Sequence, residues 1–316
     1  MNKNTAVKTR KFTGANIVKD FRLHKGDYLM VLPAFAFFII FSYLPMYGIL
    51  IAFADFKPKL GIIGSLTQRF VGFKHFAAYI NSMYFGRTVG NTIILSLLSL
   101  GIEFPAAIIF ALLLNEVKSK KFSKTVSLIT YMPHFISMVV LGGILVDFCR
   151  TDGVLGQLYT SLTGRSVNLF SLPEMWRPIY IGSDLWKELG YSSVLYVAAI
   201  SGVDRDLYEA AKIDGAGYFQ QCIHVTLPGI ASTIIVMLIM RVGHLMSAGG
   251  DKTILLYNSQ IYETADVISS YVYRRGLIEG NYSFSTAVGL MNSVVNLMLV
   301  LITNKISRTF SEYSLF

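Results

Sequence analysis

The sequence predicts an all-α integral membrane protein with six transmembrane helices and both termini in the cytoplasm. Of its 316 residues, 53% are hydrophobic and only 15% are charged, whereas charged residues make up about 25% of an ordinary soluble domain. Several apolar runs approach or exceed the roughly 20 residues that a helix needs to cross a bilayer. The first run is long and lacks a small-residue cleavage site, so we expect it to remain as the first span instead of being removed as a signal peptide.

The predicted spans divide the chain into three parts. The spans cover residues 28–53, 91–114, 126–146, 178–203, 229–248 and 284–304. They form one transmembrane domain over 28–304, which follows a cytoplasmic segment over 1–27 and precedes a cytoplasmic tail over 305–316. The apolar stretch 254–273 contains Glu263 and Asp266, so we expect it to lie outside the membrane.

The distribution of lysine and arginine predicts the orientation. The N-terminal 27 residues are rich in both, and the connection 115–125 carries the densest basic cluster, namely Lys118, Lys120, Lys121 and Lys124. Since short cytoplasmic loops carry an excess of Lys and Arg, both segments are expected on the cytoplasmic side. Two further crossings bring 204–228 to the same side. The longer connections 54–90, 147–177 and 249–283 then face outward.

The cytoplasmic connection 204–228 is predicted to begin with a short helix. Asp206 and Glu209 have the spacing of a capping box at its first turn. One face of the helix would carry Leu207, Ala210, Ala211 and Asp214. Gly215 and Gly217 are expected to end the helix, because glycine adopts the positive φ that a C-terminal turn often needs.

This connection resembles the EAA loop of ABC importer permeases. The resemblance rests on Glu209-Ala210-Ala211, Gly215 and Val225-x-Leu227-Pro228 at the family's spacing, and Asp214 and Ala216 complete the form typical of carbohydrate permeases. Val225 stands where the family more often has isoleucine. The stretches 41–48, 111–116, 131–137 and 186–191 are similar to a branch that imports oligosaccharides from polysaccharides, including alginate and pectin fragments.

The resemblance implies a type I ABC importer permease fold and a set of partners in the bacterial cytoplasmic (inner) membrane. These are a second homologous permease subunit, two ATPase subunits, an extracytoplasmic solute-binding protein and the oligosaccharide itself, with lipid around the spans. No cofactor would be bound by this chain, since ATP and Mg would belong to the ATPase. The residues implied to couple the chain to the ATPase are Glu209, Ala210, Ala211, Asp214, Gly215, Ala216, Leu227 and Pro228. Alternating access would be the mechanism of transport.

Charged residues within apolar spans are costly and mark functional or paired positions. Arg241 and the nearby His244 could face the translocation path, where a guanidinium would bind a sugar hydroxyl or carboxylate. Arg241 could equally form an ion pair with Glu103 or with a partner permease. Lys187 and Glu188 could contact the substrate or the external protein, or form a polar seam between helices, and Glu103 is expected to form a structural pair.

The remaining polar and aromatic residues in or near the spans have mainly structural interpretations. Trp176 and Trp186 are expected at the outer membrane interface, where aromatic belts occur, with sugar stacking as the alternative. Asn292 and Asn296 share a helix face and are expected to bond across a helix interface. Cys149 and Cys222 lie on opposite sides of the predicted membrane, which excludes a disulfide between them.

Several function classes are excluded or disfavoured. The chain has no Gly-x-x-x-x-Gly-Lys-Ser/Thr motif and no catalytic motif, so it is predicted not to be an enzyme. Its net charge of +9 follows from the cytoplasmic excess of cations and needs no nucleic acid. The outer segment 54–90 is also basic, which would favour an acidic oligosaccharide such as a uronate. An ion-coupled secondary sugar transporter remains the alternative, although no inverted repeat is evident.

Overall fold

The computed structural model describes residues 23–310 and shows a helical protein in that part of the chain. The longer helices are α1 (Lys25–Phe53), α4 (Phe85–Glu116), α8 (Pro173–Ser201) and α15 (Tyr282–Phe310). Between them lie α2 (Gly61–Gln68), α3 (Lys74–Ile80), α5 (Lys120–Tyr131), α6 (Met138–Cys149), α7 (Val154–Thr163), α9 (Arg205–Ile213), α10 (Tyr218–Gly229), α11 (Ala231–Val242), α12 (Gly250–Leu256), α13 (Tyr262–Ala265) and α14 (Ile268–Tyr273). Short 3-10 turns occur at Pro58–Leu60, Met132–Phe135, Leu169–Ser171 and Leu245–Ser247. Within the described residues, the sole extended pairing is one bridge between Ala54 and Phe70.

The chain divides into two compact units. The first covers residues 1–50, of which 23–50 are described, and contains most of α1. The basic residues expected to fix the cytoplasmic segment 1–27 lie mostly outside the described residues, and so does the end of the tail, 311–316. The second unit covers 51–316 and contains every other helix.

Three helices in the described residues are long and apolar enough to cross a membrane, namely α1, α4 and α15. Two bent pairs of helices raise the number to five if each pair counts as one span. The predicted sixth span, 178–203, lies within the 29-residue helix α8. This helix is long enough but contains Asp184, Lys187 and Glu188 in its middle, which makes it more polar than the other candidates.

The predicted third and fifth spans are not continuous helices. The segment Lys120–Phe135 meets Met138–Thr163 at an angle of 97°. The break contains Pro133, which removes a helical donor, and Ser137, whose hydroxyl caps α6 by accepting from the Val140 amide. Likewise α10 meets α11 at 64°, directly after Pro228 and Gly229. Apolar composition alone predicted residues 126–146 as a single helix, and the proline and capping signals inside that run explain its bend. The 64° bend lies at the start of the predicted fifth span, 229–248, in which the α-helix ends at Val242.

The outer stretch 254–273 folds into short helices and is well packed. Ile261, Ala265, Val267 and Ile268 are each at most 2% exposed. Asn91 of α4 donates to the carbonyl oxygens of Glu263 (2.8 Å) and Asp266 (3.1 Å). The stretch therefore forms part of the core of the second unit.

Helix α8 packs in the centre of the second unit. Its side chains enter one core cluster with α6 and α13 and another with α4 and α11. At Gly190 it lies so close to α5 that an added Cβ would be 2.3 Å from the Thr130 carbonyl oxygen. Only glycine allows this approach of the two backbones. Helix α8 thus positions the helices that surround the candidate site.

Candidate functional site

A cavity of about 780 Å³ lies between α4, α8, α11 and the segment that leads into α12. Its charged lining residues are Glu103, Asp184, Glu188, Arg241, Asp251 and Lys252. Serine and methionine side chains complete the lining, among them Ser99, Ser192, Met237 and Met240. A cavity that combines apolar surface with a few convergent polar groups is typical of a ligand path.

Arg241 and Glu103 form an ion pair on the cavity wall. The Arg241 Nη2 group also donates to the Ser99 hydroxyl at 2.7 Å, and that hydroxyl donates to Glu103 Oε2 at 2.7 Å. Ser99 and Glu103 mark the ends of a single π turn in α4, which precedes Pro105. Such turns inside α-helices frequently occur at functional sites. The predicted pair between Glu103 and Arg241 is confirmed, and the two residues also line the cavity.

Arg241 keeps part of its hydrogen-bonding capacity free. A guanidinium has five N–H donors, and both contacts of Arg241 use Nη2. The donors on Nε and Nη1 have no protein acceptor among the described residues, while 34% of the side chain is exposed. The ion pair therefore orients the guanidinium and leaves donors available to a ligand in the cavity.

Lys252 and Asp184 form a second ion pair on the wall, which the sequence reasoning missed. The Lys252 ammonium is 2.7 Å from Asp184 Oδ1 and donates to the Tyr180 carbonyl (2.8 Å) and the Ser183 hydroxyl (3.0 Å). It also lies 3.8 Å from the centre of the Tyr180 ring. Buried charges in proteins are usually paired in this way, because an unpaired buried charge is very costly. Asp184 could have been recognised in the sequence, because it is a charged residue within the predicted fourth span. Lys252 could not, because it follows the end of the predicted fifth span.

Lys187 and Glu188 belong to a network that reaches the bend between α5 and α6. Lys187 Nζ lies 2.6 Å from Glu188 Oε1, and His134 Nδ1 lies 2.7 Å from Glu188 Oε2. The His134 ring stacks on Tyr191 with centroids 3.7 Å apart. Glu188 lines the cavity, whereas Lys187 is buried and does not line it. Of the two predicted roles, a place in a polar seam between helices therefore fits Lys187 better than a contact with the substrate.

The other predicted path residues lie in different environments. His244 lines the charged cavity. Trp186 is 51% exposed and lines a separate, apolar cavity of about 740 Å³ between α6, α7 and α8. Trp176 is 1% exposed and packs in the core with Cys149 and Leu169, so the prediction of a membrane-interface position for its side chain is wrong.

The predicted asparagine contact is confirmed for Asn296. Its side-chain oxygen accepts from the Met246 amide at 2.9 Å, and its amide donates to the Ser247 hydroxyl at 3.1 Å. Asn292 lines an apolar cavity instead, and its buried side-chain oxygen has no hydrogen-bond partner among residues 23–310. Cys149 and Cys222 are both free thiols.

The connection 204–228 contains the short helix predicted for it, with a different start. Asp204 is the N-cap and accepts from the Asp206 amide at 3.0 Å. The predicted capping box of Asp206 and Glu209 is therefore wrong, because Asp204 already satisfies the first turn. Gly215 has φ +80° and follows the end of the helix as expected. Gly217 has φ −70° and instead begins the next short helix.

The predicted coupling residues lie mainly on the outside of this connection. Glu209, Ala210, Asp214, Gly215 and Pro228 are exposed. Ala211, Ala216 and Leu227 are half-buried. Large apolar side chains are exposed beside them, namely Leu207 (53%), Ile213 (86%), Tyr218 (64%) and Phe219 (77%). Such a cluster on a polar connection is typical of a surface that contacts another protein.

The outer segment 54–90 is held by two carboxylates. Asp55 accepts from Lys74 Nζ (3.0 Å) and lies 3.1 Å from His75 Nε2. The hydrogen bond from Lys74 lowers the pKa of Asp55, and the charges of Lys74, His75 and Arg69 act in the same direction against the effect of burial. Asp266 is fully buried and binds Arg87 (3.0 Å) and Arg274 (2.9 Å).

Three cations of the outer segment remain exposed without a carboxylate partner among the described residues. These are Lys57, Lys59 and Arg69. Lys74 and Arg87 are neutralised by the pairs with Asp55 and Asp266. The basic character predicted for 54–90 thus resides mainly in residues 57–69.

Comparison with known proteins gives a consistent assignment. A family described as "Binding-protein-dependent transport system inner membrane component" matches residues 103–308. The polygalacturonan/rhamnogalacturonan transport system permease protein YteP of Bacillus subtilis (strain 168) is 41% identical, over 92% of this chain and 89% of the relative. Protein LplB of the same organism is also 41% identical, over 92% and 91%.

Solved structures resemble the whole chain. A bacterial ABC transporter involved in the import of the acidic polysaccharide alginate contains a chain with a TM-score of 0.84 and 41% identity, covering 93% of this chain and 99% of that one. A bacterial alginate ABC transporter in complex with an alginate pentasaccharide-bound periplasmic protein gives a TM-score of 0.85 at 41% identity, with 94% and 99% covered.

Proposed function

This chain belongs to the family of binding-protein-dependent transport system inner membrane components, and from that premise we propose that it imports acidic oligosaccharides by ATP-driven alternating access. It is a permease subunit of an ABC importer for sugars and is not itself an enzyme. Because the chain belongs to this family, the alternative interpretation as an ion-coupled secondary transporter no longer applies. Its acidic substrate, its topology and its coupling to an ATPase are the subjects of the proposal.

The observation that carries the acidic substrate is the orientation of Arg241. Its Nη2 group is fixed by Glu103 and Ser99, while its remaining donors are available on the cavity wall. A planar guanidinium fits a carboxylate better than an ammonium does. The names of the relatives support the same class of substrate, because alginate is an acidic polysaccharide and polygalacturonan is a polymer of galacturonate.

The proposed topology has six crossings, with both termini in the cytoplasm of a bacterium. The crossings are α1, α4, the bent segment around Pro133 within 126–146, α8, the segment 229–248 that contains α11, and α15. Helix α8 can be a crossing despite its charged centre, because Asp184, Lys187 and Glu188 each have a partner of opposite charge. Charged residues are tolerated at membrane depth when they are paired and face a protein interior or cavity.

The proposed assembly contains a second homologous permease, two ATPase subunits and an external solute-binding protein. The surface for the ATPase is the exposed part of 204–228, with Glu209, Ala210 and Gly215 at its centre. ATP and Mg are held by the ATPase. Closure of the ATPase pair would move this surface and thereby open the cavity toward the other side of the membrane.

The proposal is tested with the complex reconstituted in liposomes together with its binding protein. ATP hydrolysis is measured with uronic-acid oligosaccharides and with neutral oligosaccharides of equal length. We expect stimulation by the acidic series alone. Stimulation by the neutral series to the same extent would contradict the acidic substrate and leave the importer class intact.

Coupling is tested separately with Glu209→Lys and Gly215→Pro. Glu209→Lys reverses an exposed charge on the proposed docking surface, and Gly215→Pro forbids the observed φ of +80°. Both variants should insert in the membrane but lose ATP-driven uptake. Normal uptake by either assembled variant would contradict the assignment of this surface.

A further inference from the structure

The connection 204–228 has internal hydrogen bonds on the side opposite its exposed surface. The Tyr208 hydroxyl lies 3.0 Å from the Thr226 hydroxyl. Gln221 donates to the Ala216 carbonyl oxygen at 2.7 Å. Thr226 is 2% exposed and Gln221 9% exposed. Tyr208 directly precedes Glu209, so the docking helix α9 is joined through its inner face to the buried end of the connection.

Thr226 continues directly into the helices of the second unit. It is the last residue of a π turn, Cys222–Thr226, within α10. After the 64° bend that follows, Ile230 is 1% exposed and packs in a core cluster with Ala107 and Ala111 of α4. Gly229 lies against Val203 at the end of α8, where an added Cβ would be 2.9 Å from a methyl carbon. The base of the connection is therefore tightly packed against two of the long helices.

Helix α11 leads from this base to the cavity. It has 12 residues, which corresponds to about 18 Å, and contains no glycine or proline that would bend it. Arg241 lies in its last turn and binds Glu103 of α4. Beyond it, Gly243 is close to Val300 of α15. Helix α11 thus connects the base of the connection to the Arg241–Glu103 pair.

We propose that the hydrogen bond between Tyr208 and Thr226 transmits movement of the docking helix through α11 to the Arg241–Glu103 pair on the cavity wall. Tyr208 is then a positioning residue, because it acts on the cavity only through Thr226 and α11. Without this bond α9 can move with the ATPase while α10 stays in place. The inference rests on the proposed coupling function of 204–228. It adds the contact that transmits the movement, between Tyr208 and Thr226, and the ion pair that the movement reaches.

The test uses the complete reconstituted complex with Tyr208→Phe and Thr226→Val. The first removes only the hydroxyl of Tyr208, and the second replaces a buried threonine by a residue of similar shape. Thr226→Ser keeps a hydroxyl at this position. Tyr273→Phe is the matched control, since it removes a partly exposed tyrosine hydroxyl that lies outside the connection and has no hydrogen-bond partner among the described residues. Three quantities are measured: ATPase subunits retained on purification, ATP hydrolysis, and oligosaccharide taken up per ATP.

We expect Tyr208→Phe and Thr226→Val each to lower uptake per ATP by about three- to tenfold, the effect of losing one net hydrogen bond. The double variant should be no worse than either single variant, because both remove the same contact. ATPase retention should stay at the wild-type level, and Thr226→Ser and Tyr273→Phe should behave as wild type.

Two results would overturn the inference while leaving the proposed function standing. One is unchanged uptake per ATP in Tyr208→Phe. The other is a loss of ATPase retention in that variant, which would make Tyr208 a docking residue. A wild-type complex that takes up no oligosaccharide would instead contradict the proposed function itself, and is recognised without any variant.

Discussion

At the scale of single residues, the cavity wall depends on charges that occur in pairs. Arg241 is bound by Glu103, and Lys252 by Asp184. Glu103 is 8% exposed, and its Oε1 atom is buried without a hydrogen-bond partner in the described part of the chain. Removing one member of such a pair leaves the other charge uncompensated. The two members of a pair should therefore differ in their effects on transport and on stability.

Arg241→Gln should lower uptake of an acidic oligosaccharide by about tenfold or more, since hydrogen bonds to charged groups contribute about 1.5–3 kcal/mol. Glu103→Gln should lower it less, because the guanidinium and its free donors remain. Both variants are compared in proteoliposomes at equal protein content. An equal loss in the two variants would indicate that only the ion pair matters, and not the guanidinium as a ligand.

Asp55 should make the outer segment sensitive to acid. Its pKa is lower in the folded protein than in the unfolded chain because of the hydrogen bond from Lys74, so the folded state binds fewer protons. The resulting stabilisation is complete above the unfolded pKa of about 3.9 and is lost as the pH falls through the lower folded value. Protection from hydrogen exchange in residues 54–75, measured relative to the intrinsic exchange rate at each pH, should decrease between pH 5 and pH 3.

Asp55→Asn is the control for this pH dependence. The variant should show faster exchange in 54–75 at pH 5 already, and a smaller change between pH 5 and pH 3 than the wild-type protein. An unchanged acid response in the variant would assign the effect to a different group.

The sequence identified part of this chemistry at the residue scale. Arg241 and Glu103 were recognisable because charges are rare within apolar runs. Lys252 was not, because it lies in a segment interpreted as an outer connection, and only the folded chain brings it beside Asp184. Trp176 was assigned to the membrane interface from its position in the sequence, but its burial depends on α6 and α13, which are distant in the chain.

At the scale of helices, the breaks in the helices position the site. The π turn Ser99–Glu103 orients two partners toward Arg241, and the bend after Pro133 brings His134 to Glu188. Apolar runs predicted where helices occur, because burial in lipid or protein requires such runs. They could not predict the 97° bend, since apolar composition is the same in a straight and in a bent helix. Pro133 and the capping residue Ser137 were its only local signals.

The contact between α8 and α5 should be the least tolerant of added volume. Gly190→Ala would bring a Cβ to 2.3 Å from the Thr130 carbonyl oxygen, and overpacking of this kind costs about 1–3 kcal/mol. We expect a lower midpoint of thermal unfolding in detergent. Gly182→Ala is the matched control in the same helix, because its Cβ would meet no atom within 4 Å. Equal midpoints for the two variants would show that the helices can separate at Gly190 without cost.

At the scale of the whole molecule, the family and its fold were evident from the sequence, whereas the number and shape of the crossings were less so. The spacing from Glu209 to Pro228 identified the EAA loop, since it is a local pattern that needs no tertiary contact. The predicted outer segment 249–283 proved to be packed into the core through Asn91, Asp266 and Ile261. Contacts between residues more than 170 positions apart leave no pattern in a single sequence.

The exposed cations of the segment 54–90 should attract an acidic oligosaccharide before it reaches the protein. Replacing Lys57, Lys59 and Arg69 together by glutamate should slow uptake of an acidic oligosaccharide at low salt, and the difference should shrink near 1 M salt, where the Debye length is about 3 Å. Uptake rates at both salt concentrations provide the measurement. A rate unchanged at low salt would show that attraction by the outer segment does not contribute to delivery of the substrate.

The paired charges around the cavity also bear on how long a substrate stays there. On the proposed function, an anionic sugar would bind the free donors of Arg241 while Glu103 keeps Nη2, and at Lys252 it would meet an ammonium that is already paired with Asp184. In both cases the carboxylate already present offsets part of the cation's charge, which weakens the attraction for a second anion and favours its release. A short dwell time follows, with tight capture left to the external binding protein. For a transporter this favours turnover, because a substrate that is weakly held inside the membrane is also readily released.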